Sequence, residues 1–226
     1  MKSPNKLAIQ LEAGATTAVV FPAQGETIDR TLILAHGAGA GQQSAFMVSF
    51  ANALAALGAT IVTFNFLYTE QKRRIPDRGP ALEACYAAVI GVVRDRVAGK
   101  AGRLYVGGKS MGGRIATQVA AANPTMAIDG LVLLGYPLHP PGRPDQLRDK
   151  HLAQVRRPML FVQGSRDAFG TPSELEPVVG KLTPRPVLHV VAGGDHSFKV
   201  PGRSTETQQD VFADIQRRIV SWMVGG

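Results

Sequence analysis

The segment RLYVGGKSMGGRIATQVAAAN, residues 103–123, decides the fold. An apolar run from Leu104 to Val106 ends in two glycines, and an alanine-rich stretch with helical spacing follows until Asn123-Pro124. Between them lies Gly108-Lys109-Ser110-Met111-Gly112, a G-x-S-x-G motif in a strand–turn–helix context. Such a turn is so tight that a Cβ at either flanking glycine would meet neighbouring backbone. The pattern predicts a serine whose hydroxyl projects from the edge of a sheet, at the positive end of a helix dipole.

The rest of the chain alternates between strand-like apolar runs and helical stripes from residue 31 onward. This alternation favours a parallel sheet with right-handed crossovers, and continuous apolar runs are typical of strands covered on both faces. We therefore predict an α/β fold in one domain, residues 1–226, with a mostly parallel sheet and helices on both faces. Strands are predicted at 7–9, 17–21, 31–35, 60–65, 104–106, 130–134, 158–163 and 186–191. Helices are predicted after residue 41 with Gly58 as the stop, from Pro80, after Ser110, over 145–154, near 173–181 and at the C-terminal end, with a long basic loop over 66–79.

Charge and cysteine content narrow the classes of function. The 25 Lys and Arg against 17 Asp and Glu give a net charge of +8, but the basic residues are scattered apart from Lys72-Arg73-Arg74 with Arg78. No zinc spacing or recognition helix accompanies them, so a solvated surface is favoured over binding of nucleic acid. We find no signal-peptide pattern and no run of 18 apolar residues, and the single Cys85 permits no internal disulfide. These features predict a cytoplasmic protein with neither a nucleic-acid nor a membrane partner.

Polar side chains follow several of the predicted strands, where ligands bind in parallel sheets. Ser110 follows the strand of the opening segment, Asp167 follows Met159 to Val162, and His196 follows Val187 to Val191. A hydroxyl, a carboxylate and an imidazole in the order Ser, Asp, His match the order used by α/β-hydrolases. Chemistry assigns Ser110 as nucleophile, His196 as general base and acid, and Asp167 as the group that orients and stabilises the imidazole.

Each assignment has a structural alternative. Ser110 could cap a helix, and Asp167 could close a loop turn. Asp195 is a competing carboxylate, but it adjoins His196 in the sequence and is badly placed to reach its ring. The remaining histidines fit the role of base less well: His189 lies within a strand, His151 on a predicted helix, His36 at the head of a glycine-rich loop where a structural hydrogen bond is expected, and His139 in a proline-rich loop.

Other motifs carry less weight. Gly108-Lys109-Ser110 resembles the end of a phosphate-binding loop, but the first glycine of that motif would have to replace Arg103. Cys85 lies on a helical stripe with Leu82 and Val89 and is predicted to be buried. No cluster of His, Cys, Asp and Glu has the spacing of metal ligands. We therefore predict neither a metal nor a cofactor.

The chain resembles the α/β-hydrolases, in particular the dienelactone-hydrolase-like branch and a small subgroup within it. The resemblance is carried by the blocks HGAGAG, GGKSMGGR, GYPLHPPG, LFVQGSRDAFG and GDHSF, and it covers nearly all of residues 31–223. Dienelactone hydrolase itself has a cysteine nucleophile where this chain has Ser110, so its substrate is not carried over. The interval between Leu134 and Pro158 leaves room for one loop and one short helix, which predicts a minimal or absent lid. An oxyanion would be held by the backbone N–H groups of Met111 and Ala38.

The expected substrate is a small ester or thioester, since a site without a lid should be shallow and offer little apolar surface. We expect substrate contacts from Gly37, Gly39, Tyr136, His139 and Lys109. Cations gather near the predicted site, which suggests a preference for acyl groups that bear a carboxylate, although solvated surface charge is the simpler explanation. The cations in question are Lys109, Arg114, Arg166, Lys72, Arg73 and Arg74.

A second class of function is a non-catalytic binding or scaffold protein, because this fold serves both purposes. An intact set of Ser, Asp and His favours an enzyme. The sequence does not give the oligomeric state.

Overall fold

The computed structural model describes residues 3–202 and 207–225. It contains an eight-stranded sheet in the order β1-β2-β4-β3-β5-β6-β7-β8. The first two strands form an antiparallel hairpin, β2 pairs antiparallel with β4, and every later pairing is parallel. The strands are β1 (Asn5–Leu11), β2 (Gly14–Phe21), β3 (Arg30–Ala35), β4 (Thr60–Phe64), β5 (Arg103–Lys109), β6 (Gly130–Leu134), β7 (Met159–Gly164) and β8 (Val187–Val191).

The helices cover both faces of the sheet, as the sequence predicts. One buried cluster joins the sheet to residues of α2, α3, α4 and α5, and a second joins the other face to α1 and α6. The continuous apolar runs of β3 and β6 are explained by this double cover, because their residues face both clusters. The helices are α1 (Ala45–Ala56), α2 (Leu67–Glu70), α3 (Gly79–Val93), α4 (Met111–Ala122), α5 (Pro172–Val179) and α6 (Gln208–Gly225).

The central strands bring the predicted site elements to one edge. In the register of β3 and β5, Ala35 lies opposite Gly108, so the loop after β3 and the turn after β5 leave the sheet side by side. The strands β5, β6, β7 and β8 follow one another in sequence and in space. Their carboxyl ends therefore meet at the same edge of the sheet.

Two segments have a different type of secondary structure from the one predicted from the sequence. The predicted loop over 66–79 contains α2, and the predicted helix over 145–154 is a series of turns that ends in a 3₁₀ turn, Leu152–Gln154. This second segment is fixed by contacts with distant residues: Arg148 N–H donates to Leu138 C=O at 2.8 Å, and Tyr136 Oη donates to Arg148 C=O at 2.7 Å. Residues 135–158, between β6 and β7, accordingly form no lid domain. The helix prediction there is wrong because these tertiary hydrogen bonds override local helical preference.

The helical spacing of apolar residues after Pro80 continues to Val97 in the sequence. In the structure, α3 ends at Val93 and is followed by a π-helical turn over Arg94–Ala98. Gly58, with a φ of 89°, follows the end of α1 as predicted.

None of the helices in the described ranges combines the length and apolar composition that crossing a bilayer requires.

Candidate active site

The turn between β5 and α4 places Ser110 in a backbone conformation that L-residues rarely adopt, with φ 52° and ψ −115°. At Gly108 and Gly112 the chain passes too close to neighbouring backbone to leave room for a side chain. A Cβ at Gly108 or at Gly112 would lie 2.5 Å from the carbonyl oxygen of Ala35. The predicted sharp turn is therefore present, and the glycines of the motif have the predicted steric cause.

Ser110, His196 and Asp167 lie in one hydrogen-bonded line. The Nε2 atom of His196 is 2.8 Å from Ser110 Oγ, and its Nδ1 atom is 2.8 Å from Asp167 Oδ2 and 3.0 Å from Asp167 Oδ1. A carboxylate at Nδ1 keeps the proton on that nitrogen, which leaves Nε2 free to accept the proton of the serine hydroxyl. The arrangement can take a proton from a hydroxyl and stabilise the imidazolium that results.

The Asp167 carboxylate is buried and held by two further donors. Phe169 N–H donates to Oδ1 at 2.8 Å, and Gln163 Nε2 donates to Oδ2 at 2.9 Å. These bonds fix the orientation of the carboxylate before any ligand binds. The Phe169 ring lies against the imidazole of His196, with the ring centroids 4.2 Å apart, and restricts its movement.

The competing carboxylate, Asp195, is occupied within its own loop. Its Oδ1 atom accepts hydrogen bonds from the backbone N–H groups of Ser197 at 2.7 Å and Lys199 at 2.9 Å. The Asp195 side chain thus closes the loop that carries His196, while the carboxylate hydrogen-bonded to the imidazole is that of Asp167.

The other histidines have partners away from this line. His139 lies 3.4 Å from Glu174, His151 Nε2 lies 2.8 Å from Thr117 Oγ1, and His189 lies 3.3 Å from Asp214. His36 is buried at the head of the loop after β3. Its Nε2 atom accepts from Phe66 N–H at 3.2 Å, so Nδ1 carries the proton and donates to Gly37 C=O at 2.8 Å.

The His36 imidazole is kept neutral by its surroundings. Burial lowers its pKa, an effect that the Gly37 carbonyl only partly offsets. His36 has the structural role expected from the sequence: it joins the loop after β3 to the start of α2.

The predicted oxyanion residues lie beside the serine. Ala38 and Met111 both line the cleft that contains Ser110 Oγ. A Cβ at Gly37 would lie 3.6 Å from the Cβ of Ser110, which shows how closely the loop after β3 approaches the turn. Met111 is the first residue of α4, and its N–H belongs to the set that has no partner within the helix.

The cleft around Ser110 has a volume of about 980 Å³ and draws its walls from both faces of the sheet. Phe46 and Met47 of α1 and Phe212 of α6 form one wall, which we call the aromatic wall. Leu82 of α3, Arg114 of α4 and Arg148 from the β6–β7 interval form the other, the cationic wall. The expectation of little apolar surface in the site is wrong, because α1 and α6 supply an apolar wall in the absence of a lid.

The predicted substrate contacts divide into two groups. Gly37 and Lys109 line the cleft, whereas Gly39, Tyr136 and His139 do not. Tyr136 is fully buried, and its hydroxyl donates a hydrogen bond to Arg148 C=O. Tyr136 and His139 are predicted as substrate contacts because they follow β6. In the structure, this position places them within the folded β6–β7 interval and not in the walls of the cleft.

The predicted cluster of cations is also divided. Lys109 and Arg114 line the cleft, but Arg166 and Lys72 to Arg74 do not. Sequence reasoning misses two cations of the cleft: Arg148, which lies on a predicted helix, and Lys199, which follows His196 by three positions. Neither Arg114 nor Arg148 forms an ion pair with an acidic side chain in the described part of the chain.

Burial changes the acid–base properties of two further groups. It raises the pKa of the Cys85 thiol to about 12, so this thiol is a core group as predicted. Burial also lowers the pKa of Lys109 to about 8, while Asp167 and Asp195 act in the opposite direction.

The described residues contain no group of three or more His, Cys, Asp or Glu side chains placed to hold a metal ion.

Comparison with known proteins agrees with this architecture. A family model described as an alpha/beta hydrolase domain matches residues 28–224. Among solved structures, a lidless α/β serine hydrolase from Xanthomonas campestris has a TM-score of 0.74 at 21% identity, over 98% of this chain and 96% of that one. A dienelactone hydrolase from Anabaena variabilis has a TM-score of 0.77 at 18% identity, over 99% and 97%. Est1E from Butyrivibrio proteoclasticus, in a structure with bound ferulic acid, has a TM-score of 0.74 at 13% identity, over 96% and 99%.

At these identities the solved structures share the fold of this chain. The resemblance noted in the sequence is confirmed by the family match, and the dienelactone hydrolase and the lidless hydrolase show the same arrangement of the chain.

Proposed function

The chain belongs to the alpha/beta hydrolase domain family, and we propose that it is a serine hydrolase of small carboxylic esters or thioesters that works through an acyl-enzyme. One observation carries the proposal: Ser110 Oγ, the His196 ring and the buried Asp167 carboxylate are joined by hydrogen bonds of 2.8 to 3.0 Å, and Ser110 and His196 line a cleft. A serine that only capped a helix would not need an imidazole and a buried carboxylate in line behind it.

In the proposed reaction, Ser110 Oγ attacks the acyl carbon while His196 Nε2 takes the hydroxyl proton. The carbonyl π electrons move to oxygen and form an oxyanion. When this intermediate collapses, the bond from the acyl carbon to the leaving oxygen or sulfur breaks, and His196 returns the proton to the leaving group. Water then repeats the sequence on the acyl-enzyme and releases the carboxylic acid and free Ser110.

The oxyanion is assigned to the backbone N–H groups of Met111 and Ala38. Support comes from their position in the cleft beside Ser110 and from the close approach of the Gly37 backbone to the serine. Loss of one donor of this kind typically lowers turnover about 10²- to 10³-fold.

The test of the proposal is covalent labelling of Ser110 by a fluorophosphonate probe. We expect the wild-type protein to be labelled and to hydrolyse short aryl esters, and Ser110→Ala to lose labelling and about 10⁴-fold or more in kcat. Thermal melting serves as the control that Ser110→Ala remains folded. If folded wild-type protein stays unlabelled and inactive across a panel of short esters, thioesters and amides, a scaffold function takes the place of the enzymatic one.

The cationic wall suggests a preference for esters that also carry an anionic group. Arg114 and Arg148 lack acidic partners within the described residues, and the Nε atom of Arg114 is buried there without a hydrogen-bond partner. Burial, and after it the neighbouring Arg148, lowers the pKa of Arg114, so a bound carboxylate would relieve an unfavourable pair of like charges.

This preference is tested with a neutral ester and its succinyl analogue. We expect the succinyl ester to have the lower KM at low salt, and Arg114→Gln to raise that KM about 5- to 10-fold while the KM of the neutral ester stays nearly constant. Arg166→Gln, which removes a cation outside the cleft, is the matched control. Equal KM values for both esters at low and high salt would contradict the preference.

A further inference from the structure

The side chain of Lys109 connects the turn that carries the nucleophile to the backbone of the base. It is the last residue of β5 and directly precedes Ser110. Although it lines the cleft, its ammonium Nζ donates to the backbone carbonyl oxygen of His196 at 2.5 Å. The His196 residue is therefore held at two places, with Asp167 at its ring and Lys109 at its main chain.

The ammonium group of Lys109 has close neighbours besides the His196 carbonyl. A Cβ at Gly135 would lie 2.9 Å from Lys109 Nζ and 3.1 Å from the carbonyl oxygen of His196. On another side, the centroid of the Phe198 ring lies 5.4 Å from Nζ, within the range of a cation–π interaction. The ammonium is thus enclosed by the end of β6 and by the His196 loop, which we define as residues 192–199.

We propose that Lys109 is a positioning residue that anchors the main chain of His196 and so holds the imidazole between Ser110 and Asp167, rather than a substrate contact. The inference rests on the proposed hydrolase function. The His196 loop is closed locally by the Asp195 carboxylate, but that closure does not fix the loop against the nucleophile turn. Lys109 makes this cross-connection, because it belongs to the strand that carries Ser110.

The strength of the anchor depends on the charge of Lys109. The titratable groups that face it are Asp167, Asp195 and His196, all from the loops after β7 and β8. With a pKa of about 8, Lys109 is charged below that pH and neutral above it. A neutral amine is the weaker donor, so the anchor loosens as the pH rises through about 8.

The experiment measures kcat and KM of a short aryl ester from pH 6 to 10 for wild type, Lys109→Met and Lys109→Arg. A shift of about 1 Å in a reacting group can cost about 10²-fold, and we expect Lys109→Met to lower kcat by about that factor while KM changes less than about 3-fold. We also expect the wild type to lose kcat above pH 8, Lys109→Met to lack this alkaline decline, and Lys109→Arg to recover part of kcat without the decline. Lys199→Gln removes a charge from the same cleft but does not touch the His196 carbonyl, and it should keep the decline.

Amide hydrogen exchange gives a readout that does not depend on catalysis. Lys109→Met should exchange faster than wild type in the peptide that covers residues 192–199, with little change in the strands. Unchanged kcat, a rise in KM alone, or equal exchange of this peptide in both proteins would overturn the anchoring role. A wild type that neither reacts with the fluorophosphonate probe nor turns over esters would instead overturn the hydrolase proposal, and the exchange data would still decide the anchor.

Discussion

The turn that carries Ser110 and the loop that carries His196 reach the same point in different ways. The turn is held by backbone, since a Cβ at Gly107 would overlap the Val132 carbonyl of the neighbouring strand and one at Gly108 would meet Ala35. The His196 loop is held by side chains: the Asp195 carboxylate, the Lys109 ammonium and the buried Phe198 ring. The contrast teaches that the position of the serine follows from the backbone of the sheet, whereas the position of the imidazole depends on a few side-chain contacts.

Asp167→Asn tests the side-chain half of this comparison and should have the largest effect. An amide cannot favour the protonated Nδ1 or stabilise an imidazolium, so we expect kcat to fall about 10⁴-fold with the fold intact. The measurement is kcat on a short ester together with circular dichroism.

The matched control for Asp167→Asn is Asp195→Asn, one position from the same histidine. Its amide oxygen can still accept from Ser197 and Lys199, so kcat should fall by less than about 10-fold. A larger loss for Asp195→Asn than for Asp167→Asn would reverse the assignment of the two carboxylates.

Gly112→Ala tests the other part of the comparison, the claim that the Ser110 turn is held by backbone. Its Cβ would lie 2.5 Å from the Ala35 carbonyl oxygen and 2.7 Å from that of His36, and neither can retreat without moving β3 or the loop after it. We expect a loss of at least about 3 kcal/mol in the free energy of unfolding, measured by urea denaturation. A variant as stable as wild type would show that the turn can open.

Gly91→Ala is the companion to that experiment and should have the smallest effect. Gly91 lies within α3 and is exposed, and no atom beyond its own helix turn and chain neighbours lies within 4 Å of the place that a Cβ would take. Because glycine costs about 0.5–1 kcal/mol against alanine in a helix interior, we expect a gain in stability of that size. A loss would show that added Cβ atoms are poorly tolerated in general and not only at the turn.

The same contrast explains which features could be predicted from the sequence. The strands and the nucleophile turn could be predicted because each depends on a local pattern: a continuous apolar run for β3 and β6, and flanking glycines for Ser110. The grouping of Ser110, Asp167 and His196 could be predicted because each of them follows a strand of the parallel sheet. The structure brings the three side chains together.

The remainder could not be predicted because it depends on tertiary contacts. The helix α2 spans only four residues, too few to show a helical period. The ring centroid of Phe46 in α1 lies 5.9 Å from that of Phe212 in α6, and both residues line the cleft. No local pattern reports that the last helix of the chain lies beside the first. The bond from Lys109 to His196 spans 87 positions and has no signal of its own in the sequence.

The origin of the two walls of the cleft has a consequence for how selectivity can change. The aromatic wall is anchored in the core on one face of the sheet and the cationic wall in the core on the other, with Ser110 at the edge between them. Substitutions in α1 or α6 can therefore reshape one wall of the cleft without disturbing the helices that carry the other. For the ester hydrolase that we propose, the acyl and leaving-group preferences would then be separately adjustable traits, open to stepwise divergence or to directed evolution one wall at a time.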